Sequence, residues 1–369
     1  MPLLSRLCIQ PGDISPGSVS TPGELAPSLI PTATQFGYAI GLLLLVPLGD
    51  PMERRRLIVS QFLILALSLL FAAVASTGWT LLCASLFIGF SASVTQQIVP
   101  AAASLASDTH RGSVVGSVMS GLLSGMLLSR ILAGSIATNY GWRAMFLIAI
   151  PLVLTGATAM ALVLPLSSPA TSMKCGSLLR SLLQLWRGEP GLRRATFIQG
   201  LIFAVFSAFW TILALHLEQP PFHLGADVAG LFGIIGVIGV LSAPVAGRLA
   251  DRQGPGQVVS TGAFAALLAW LVLAGWNSLA GLVFGVMLLD FGMQTAIVAN
   301  QKVIYGLKPQ ARNRMNSLFM VGMFIGGSLG SGGAMLAWKV AGWQGVAISA
   351  IAVALTASMV SFLFRQNPS

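Results

Sequence analysis

The sequence is poor in charge: 8% of its 369 residues are Asp, Glu, Lys or Arg, while 55% are hydrophobic. A soluble domain carries roughly 25% charged residues, so most of this surface is not built to meet water. Cysteine is scarce too. Cys8, Cys83 and Cys175 show neither paired nor ligand-like spacing, which argues against a disulfide framework or a zinc site. His110, His216 and His223 form no His-x-x-x-His pair, and nothing in the sequence calls for a metal or other cofactor. Negative charge is the scarcer sign, 10 acids against 20 basic residues. The basic residues stand at the ends of apolar runs and not in one cationic stripe, which argues against a nucleic-acid partner. The alternating ten-residue segments of a membrane β-barrel are also missing.

What the chain does have is long apolar runs. Eleven segments qualify: Pro31–Leu48, Leu57–Ser76, Leu81–Leu105, Ser113–Thr138, Met145–Leu164, Ala195–Leu217, Val228–Ala246, Val258–Trp276, Leu279–Ala299, Met315–Trp338 and Trp343–Phe364. Each is long enough to cross a hydrocarbon core about 30 Å thick. In lipid the backbone must satisfy its own polar groups, so these are helices. The expected class is an all-α polytopic membrane protein, monomeric, with the lipid bilayer as its main partner.

Charge sets the orientation. With the loop after Leu48 inside and strict alternation thereafter, the inner loops and the C-terminal end receive 16 of the 20 basic residues, and the outer loops receive Arg143 and Lys339. That asymmetry places the C-terminus in the cytoplasm. The longest connection, Ser167–Arg194, is basic and contains an amphipathic piece, Leu178–Trp186, read as lying on an anionic inner surface. It divides the chain into a tail (1–30), an N-terminal half (31–165), a linker (166–194) and a C-terminal half (195–369).

The halves share punctuation. Asp50 and Asp251, Gly78-Trp79 and Gly275-Trp276, Arg111 and Arg314, and Gly141-Trp142 and Gly342-Trp343 follow in the same order at offsets near 200 residues. A duplicated helical unit of this kind points to a transporter with its site between the halves, near the midplane.

Gly247-Arg-Leu-Ala-Asp-Arg-Gln-Gly254 resembles the loop signature of the major facilitator superfamily. Pro47-Leu-Gly-Asp-Pro-Met-Glu-Arg-Arg-Arg56 is similar to the first copy of that signature, with Pro47, Pro51 and Glu53 where the pattern has Gly, Arg and Gly. The resemblance runs over about residues 30–365 and is nearest to the bacterial drug- and sugar-efflux branch. It implies a twelve-helix fold of two pseudo-repeated halves in a bacterial inner membrane. It also implies alternating access, efflux of a small-molecule substrate, and protons as the candidate coupling ion. The family's helix 1 has no counterpart in the first thirty residues, so helices 2–12 are the expected eleven.

Two charges fall well inside spans, Arg130 and Asp290. Burying either costs at least ~2.5–3.5 kcal/mol, so each is expected to face a cavity or a partner. Arg130 is a candidate cavity residue or a structural anchor. Asp290 is a candidate proton acceptor, a counter-ion, or a hydrogen-bonded structural acid. Gln96, Gln294, Asn300 and Gln301 are further substrate candidates, or interhelical glue. At the loops, Asp50, Arg54, Arg55, Asp251 and Arg252 are candidate gating residues, with each Asp placed to meet a helix N-terminus of the other half. Gly37/Gly41, Gly121/Gly125, Gly322/Gly326/Gly330 and Gly230/Gly233/Gly236/Gly239 are expected to let the halves approach and slide. Two rival readings stand beside transport: a non-functional remnant lacking helix 1, and a membrane enzyme. No catalytic pair at membrane depth supports the enzyme.

Overall fold

The computed structural model describes residues 29–48, 52–105, 139–165, 175–236, 252–308 and 311–365, with isolated positions between 118 and 136 and between 246 and 250. The N-terminal tail, with the helix 1 expectation, lies outside the described residues, as do Asp50, Arg130 and Asp251 and most of the expected span Ser113–Thr138.

Every regular element among the described residues is a helix. In chain order they are α1 (Ile30–Leu48), α2 (Arg54–Ala73), α3 (Gly78–Ala92), α4 (Thr95–Leu105), α5 (Trp142–Val163), α6 (Cys175–Gly188), α7 (Pro190–Glu218), α8 (Ala226–Ile235), α9 (Pro255–Gly275), α10 (Leu279–Leu307) and α11 (Arg312–Arg365). Among the described residues, eight helical stretches are long and apolar enough to cross a membrane. The 54-residue α11 covers two of the expected spans, because it kinks at Ala341 (φ −142°) and Gly342 (φ 56°). Gly333 and Ala350 line the same cavity, so its two arms run back along one another.

The expected continuous span Leu81–Leu105 is a correction. It breaks after Ala92 and resumes at Thr95. Ser91, Ser93 and Thr95 turn their hydroxyls onto the carbonyls of Phe87, Phe90 and Ala92, and such back-bonding competes with the helical ladder and bends it.

Local chemistry explains the helix ends. Thr77 caps α3 through a capping box with Thr80, and Ser278 caps α10 by accepting from the Gly281 N–H. Pro190 and Pro255 open α7 and α9, where a missing N–H costs nothing. Gly141 (φ 79°) and Gly342 (φ 56°) both adopt left-handed backbone. These are the two members of one repeat pair, so the duplication seen in the sequence recurs in the dihedrals.

The chain forms two compact units, divided between Leu183 and Gln184. In the N-terminal unit α1 packs on α3, and α2 packs on α3 and α5. In the C-terminal unit α7 packs on the first arm of α11, and α9 packs on α10 and α11. The indole of Trp270 donates to the Val205 carbonyl (3.2 Å), and that of Trp343 to the Leu273 carbonyl (3.2 Å). These two bonds tie α9 to α7 and to the second arm of α11.

The glycine expectation also needs correction. A Cβ on Gly37 would run into the Leu86 carbonyl, and one on Gly41 into that of Phe90. On α11, Gly322 receives the Thr196 methyl, Gly326 the Gly200 backbone and Gly330 the Ala204 backbone. These glycines therefore seat helices of their own unit. A Cβ on Gly121 or Gly125 would meet nothing within 4 Å. A small-residue stripe announces that a backbone comes close without saying whose backbone it is. In the α8 set, Gly230, Gly233 and Gly236 lie at the end of a helix that is described only as far as Ile235, and Gly239 lies outside the described residues.

Candidate functional site

The apolar body of the C-terminal unit is interrupted by one polar seam between α7 and α10. Asn300 Nδ2 donates to Gln199 Oε1 at 3.0 Å, and Gln199 Nε2 reaches Met293 Sδ at 3.2 Å. Gln199 is fully buried, Asn300 is 2% exposed and Asp290 is 7% exposed. At 100° per residue, Met293 and Asn300 stand on one flank of Asp290, about 60° and 80° round the helix. Gln294 and Gln301 fall within about 40° of Asp290 on its other side, and both are partly exposed. Asp290 therefore sits at the border between a sealed amide contact and a partly open glutamine stripe.

The seam is held in place on both sides. Gly262 and Gly292 bring α9 and α10 into backbone contact, each glycine's Cβ position lying 2.7 Å from the other's carbonyl. On the opposite flank of α7, Thr211 donates to Ser331 Oγ at 2.9 Å, across to α11. Below the seam, Lys302 donates to the Ala250 carbonyl at 2.9 Å, Tyr305 to Asn316 at 3.1 Å, and Lys308 pairs with Glu189 at 2.5 Å. Polar bonds thus fix α10 at its lower end, and glycine contacts fix it in the middle.

The N-terminal unit has a smaller polar seam. Tyr38 Oη shares a hydrogen bond with Thr95 Oγ1 (3.1 Å) and accepts one from Gln96 Nε2 (3.3 Å). The neighbouring Gln97 Nε2 donates to the Leu45 carbonyl at 3.2 Å. The candidate Gln96 thus links α4 to α1. Tyr38 was missed by sequence reasoning, although a single tyrosine in a run of apolar and small residues was visible. Gln199 was missed likewise, and its signal was an amide four residues inside the apolar run that begins at Ala195.

At the loops, Arg54 and Arg55 are half-buried and Arg252 is exposed. Glu53 pairs with Arg56 at 2.6 Å. Gly254, which ends the signature, has φ 85°, whereas Glu53 at the matching place has φ −64°.

Two apolar helical units with buried amides between their helices describe a polytopic membrane fold, and comparison with known proteins decides which one. The chain matches the Major Facilitator Superfamily over residues 21–297 and 195–369. It belongs to the major facilitator superfamily.

Among its relatives, the uncharacterized transporter YgaY of Escherichia coli O157:H7 is 40% identical over 332 residues, covering 90% of this chain and 84% of that protein. The probable transporter SCO4007 of Streptomyces coelicolor (strain ATCC BAA-471 / A3(2) / M145) is 35% identical over 329 residues, covering 89% of this chain and 76% of that protein. Among solved structures, a peptide transporter POT variant in complex with alafosfalin superposes with a TM-score of 0.74 at 13% identity, over 98% of this chain and 90% of that one. A nucleoside transporter NupG variant gives 0.73 at 13% identity, over 91% and 90%. At such identities the two structures speak for the fold alone. The chain is a multi-pass membrane protein of a transporter family.

Proposed function

We propose that this major facilitator protein exports a small molecule by alternating access, driven by protons, across a bacterial inner membrane with its C-terminus in the cytoplasm. The reading takes 31–165 and 195–369 as the moving halves and 166–194 as the cytoplasmic linker, acting within a monomer. The observation that carries it is the α7–α10 seam. A buried carboxyl at Asp290, bordered by Gln294 and Gln301 and backed by the Asn300–Gln199 bond, is chemistry an inert membrane helix would avoid, since each polar group at depth costs free energy. A carboxyl that changes protonation state there alters local charge by one unit, and that change biases whichever conformation binds the proton better. Efflux is favoured by the sequence resemblance to the drug- and sugar-efflux branch. The inner-membrane orientation is favoured by the asymmetry of basic residues between alternate loops.

The test is flux in proteoliposomes with an imposed pH gradient, across a panel of drugs, sugars and amino-acid derivatives. Gradient-driven flux that Asp290→Asn abolishes, with gradient-free exchange of the same substrate retained, is the expected result. Flux equally driven in Asp290→Asn would remove Asp290 from coupling. No flux for any compound from folded wild-type protein would remove the transport reading itself.

A further inference from the structure

The C-terminal unit contains a cavity of about 670 Å3 bounded by α7 and both arms of α11, within the roughly 300–1,000 Å3 of ligand sites. It is separate from the α7–α10 seam. Its floor is the face of α7 formed by Phe197, Gly200, Ala204 and Ala208, and its far side includes Gly333 and Ala350. From Arg193 to Ala208 the lining covers 15 residues of helix, about 22 Å at 1.5 Å per residue. The space is therefore long and apolar, running beside the close contacts of Gly326 with Gly200 and of Gly330 with Ala204, and it opens at Gly333, where a Cβ would meet nothing within 4 Å.

One end is chemically different. Arg193 and Trp186 line it, and both are exposed. Arg193 heads the same stripe of α7 as Phe197, Gly200, Ala204 and Ala208, all within about 80° at 100° per residue. Arg187, also exposed, stands next to Trp186 at the end of α6. The sole acid between residues 175 and 217 is Glu189, and it is paired with Lys308. The mouth is thus cationic, with its nearest carboxylate already matched. An indole beside a cation at the end of an apolar slot is the arrangement that meets a lipid at headgroup depth.

The geometry points to a binding site for one anionic phospholipid, its phosphate on Arg193 at the Trp186 mouth and an acyl chain lying along Gly200, Ala204 and Gly333. Shape argues for the chain, since a compact polar solute would leave most of a 22 Å apolar slot dry. Charge argues for an anionic headgroup over a zwitterionic one, because the guanidinium has no acid to share with the lipid's amine. The site would anchor α7 to α11 through the bilayer, and the basic α6 would bring it anionic lipid from the adjoining leaflet.

The experiment is thermal unfolding of the full chain in detergent, titrated with phosphatidylglycerol, phosphatidylcholine or glycerol 3-phosphate, with retained lipid read by native mass spectrometry. Wild type is expected to gain several degrees from phosphatidylglycerol, less from phosphatidylcholine and nothing from glycerol 3-phosphate. Arg193→Gln should erase the difference between the two lipids. Gly333→Leu, introduced where a Cβ would meet nothing within 4 Å, should erase both gains while leaving lipid-free unfolding within a degree or two. Lys339→Gln, at the far end of α11's first arm, should behave as wild type. Equal response to both lipids in wild type, a charge preference surviving in Arg193→Gln, or stabilisation by glycerol 3-phosphate alone would each overturn the assignment. So would displacement of bound lipid by a transported solute, which would make the slot part of the transport path. The readout is binding, so it stands whether or not flux is found.

Discussion

Glu53 and Gly254 hold the same place in the repeat, 201 residues apart (254 − 53), and the chain turns differently at each. In the C-terminal unit Gly254 takes φ 85°, ψ 147° immediately before α9, close to a region that only glycine enters readily and that costs other residues about 1–3 kcal/mol. In the N-terminal unit the glutamate takes φ −64°, ψ 114° before α2, ordinary extended backbone, and pairs with Arg56. One copy of the signature uses a glycine conformation, and the other uses a side-chain ion pair. The departure noted in the sequence is therefore a change of backbone mechanism and not a neutral drift. The units differ again in their interiors. The C-terminal unit is organised around α7, with 72% of its apolar window buried, whereas the corresponding figure for α5 in the N-terminal unit is 11%. Close packing by glycine is common to both: α1 on α3 through Gly37, Gly41 and Gly89, and α7 on α11 through Gly326 and Gly330.

The largest expected effect comes from the feature that the units share. Gly326→Leu places a side chain where the Gly200 backbone lies, and Gly89→Leu does the same against Thr34. Overpacking of a few methylenes costs typically 1–3 kcal/mol, and a backbone that cannot yield raises this further. Neither variant should give monodisperse protein on size exclusion. If only Gly326→Leu fails, close packing is essential in the C-terminal unit alone.

A middle-sized effect separates the seams. The Asn300–Gln199 bond is worth about 0.6 kcal/mol on average for membrane interhelical bonds, but Asn300→Leu strands the buried Gln199 oxygen, at about 1–3 kcal/mol. Thermal unfolding should therefore show a clear loss in Asn300→Leu and partial recovery in the Gln199→Leu/Asn300→Leu pair. The partly exposed Gln96→Leu should lose less, because Tyr38 keeps its hydrogen bond with Thr95. An equal loss at Gln96 would make the two seams equivalent.

The smallest effect tests the loops. Gly254→Ala should cost about 1–3 kcal/mol through its positive φ and extended ψ. Glu53→Ala forfeits an ion pair whose arginine is 82% exposed and should cost at most about 1 kcal/mol. Equal losses in unfolding midpoint would show that the two turns are not built differently.

The helices, the repeat and the superfamily were legible in the sequence because they rest on long-range periodicity and paired landmarks. Asp290 was legible for the same reason: a charge amid apolar residues stands out at any register. Its surroundings were not. Asn300 meeting Gln199 needs α7 and α10 packed at one rotation, and no spacing within either helix fixes that rotation. Gly37 and Gly326 announced close contact correctly, but the partner was assigned to the other half, since a stripe carries no address. The break at Ser93 escaped notice because apolar content continues straight through it. What betrays the break is the hydroxyl series Ser91, Ser93 and Thr95.

The kink at Ala341–Gly342 has a mechanical consequence. Two residues reverse the chain between the arms of α11, and Gly345 sits tightly under the turn, a Cβ there lying 2.7 Å from the Ala337 carbonyl. Such a corner holds no slack. The corner couples the second arm to the first, and the Trp343 bond to the Leu273 carbonyl couples it to α9. The turn after α7 is pinned in another way, by the Phe222 N–H on the Gln219 carbonyl (3.0 Å) and the Leu224 N–H on the Leu217 carbonyl (2.8 Å).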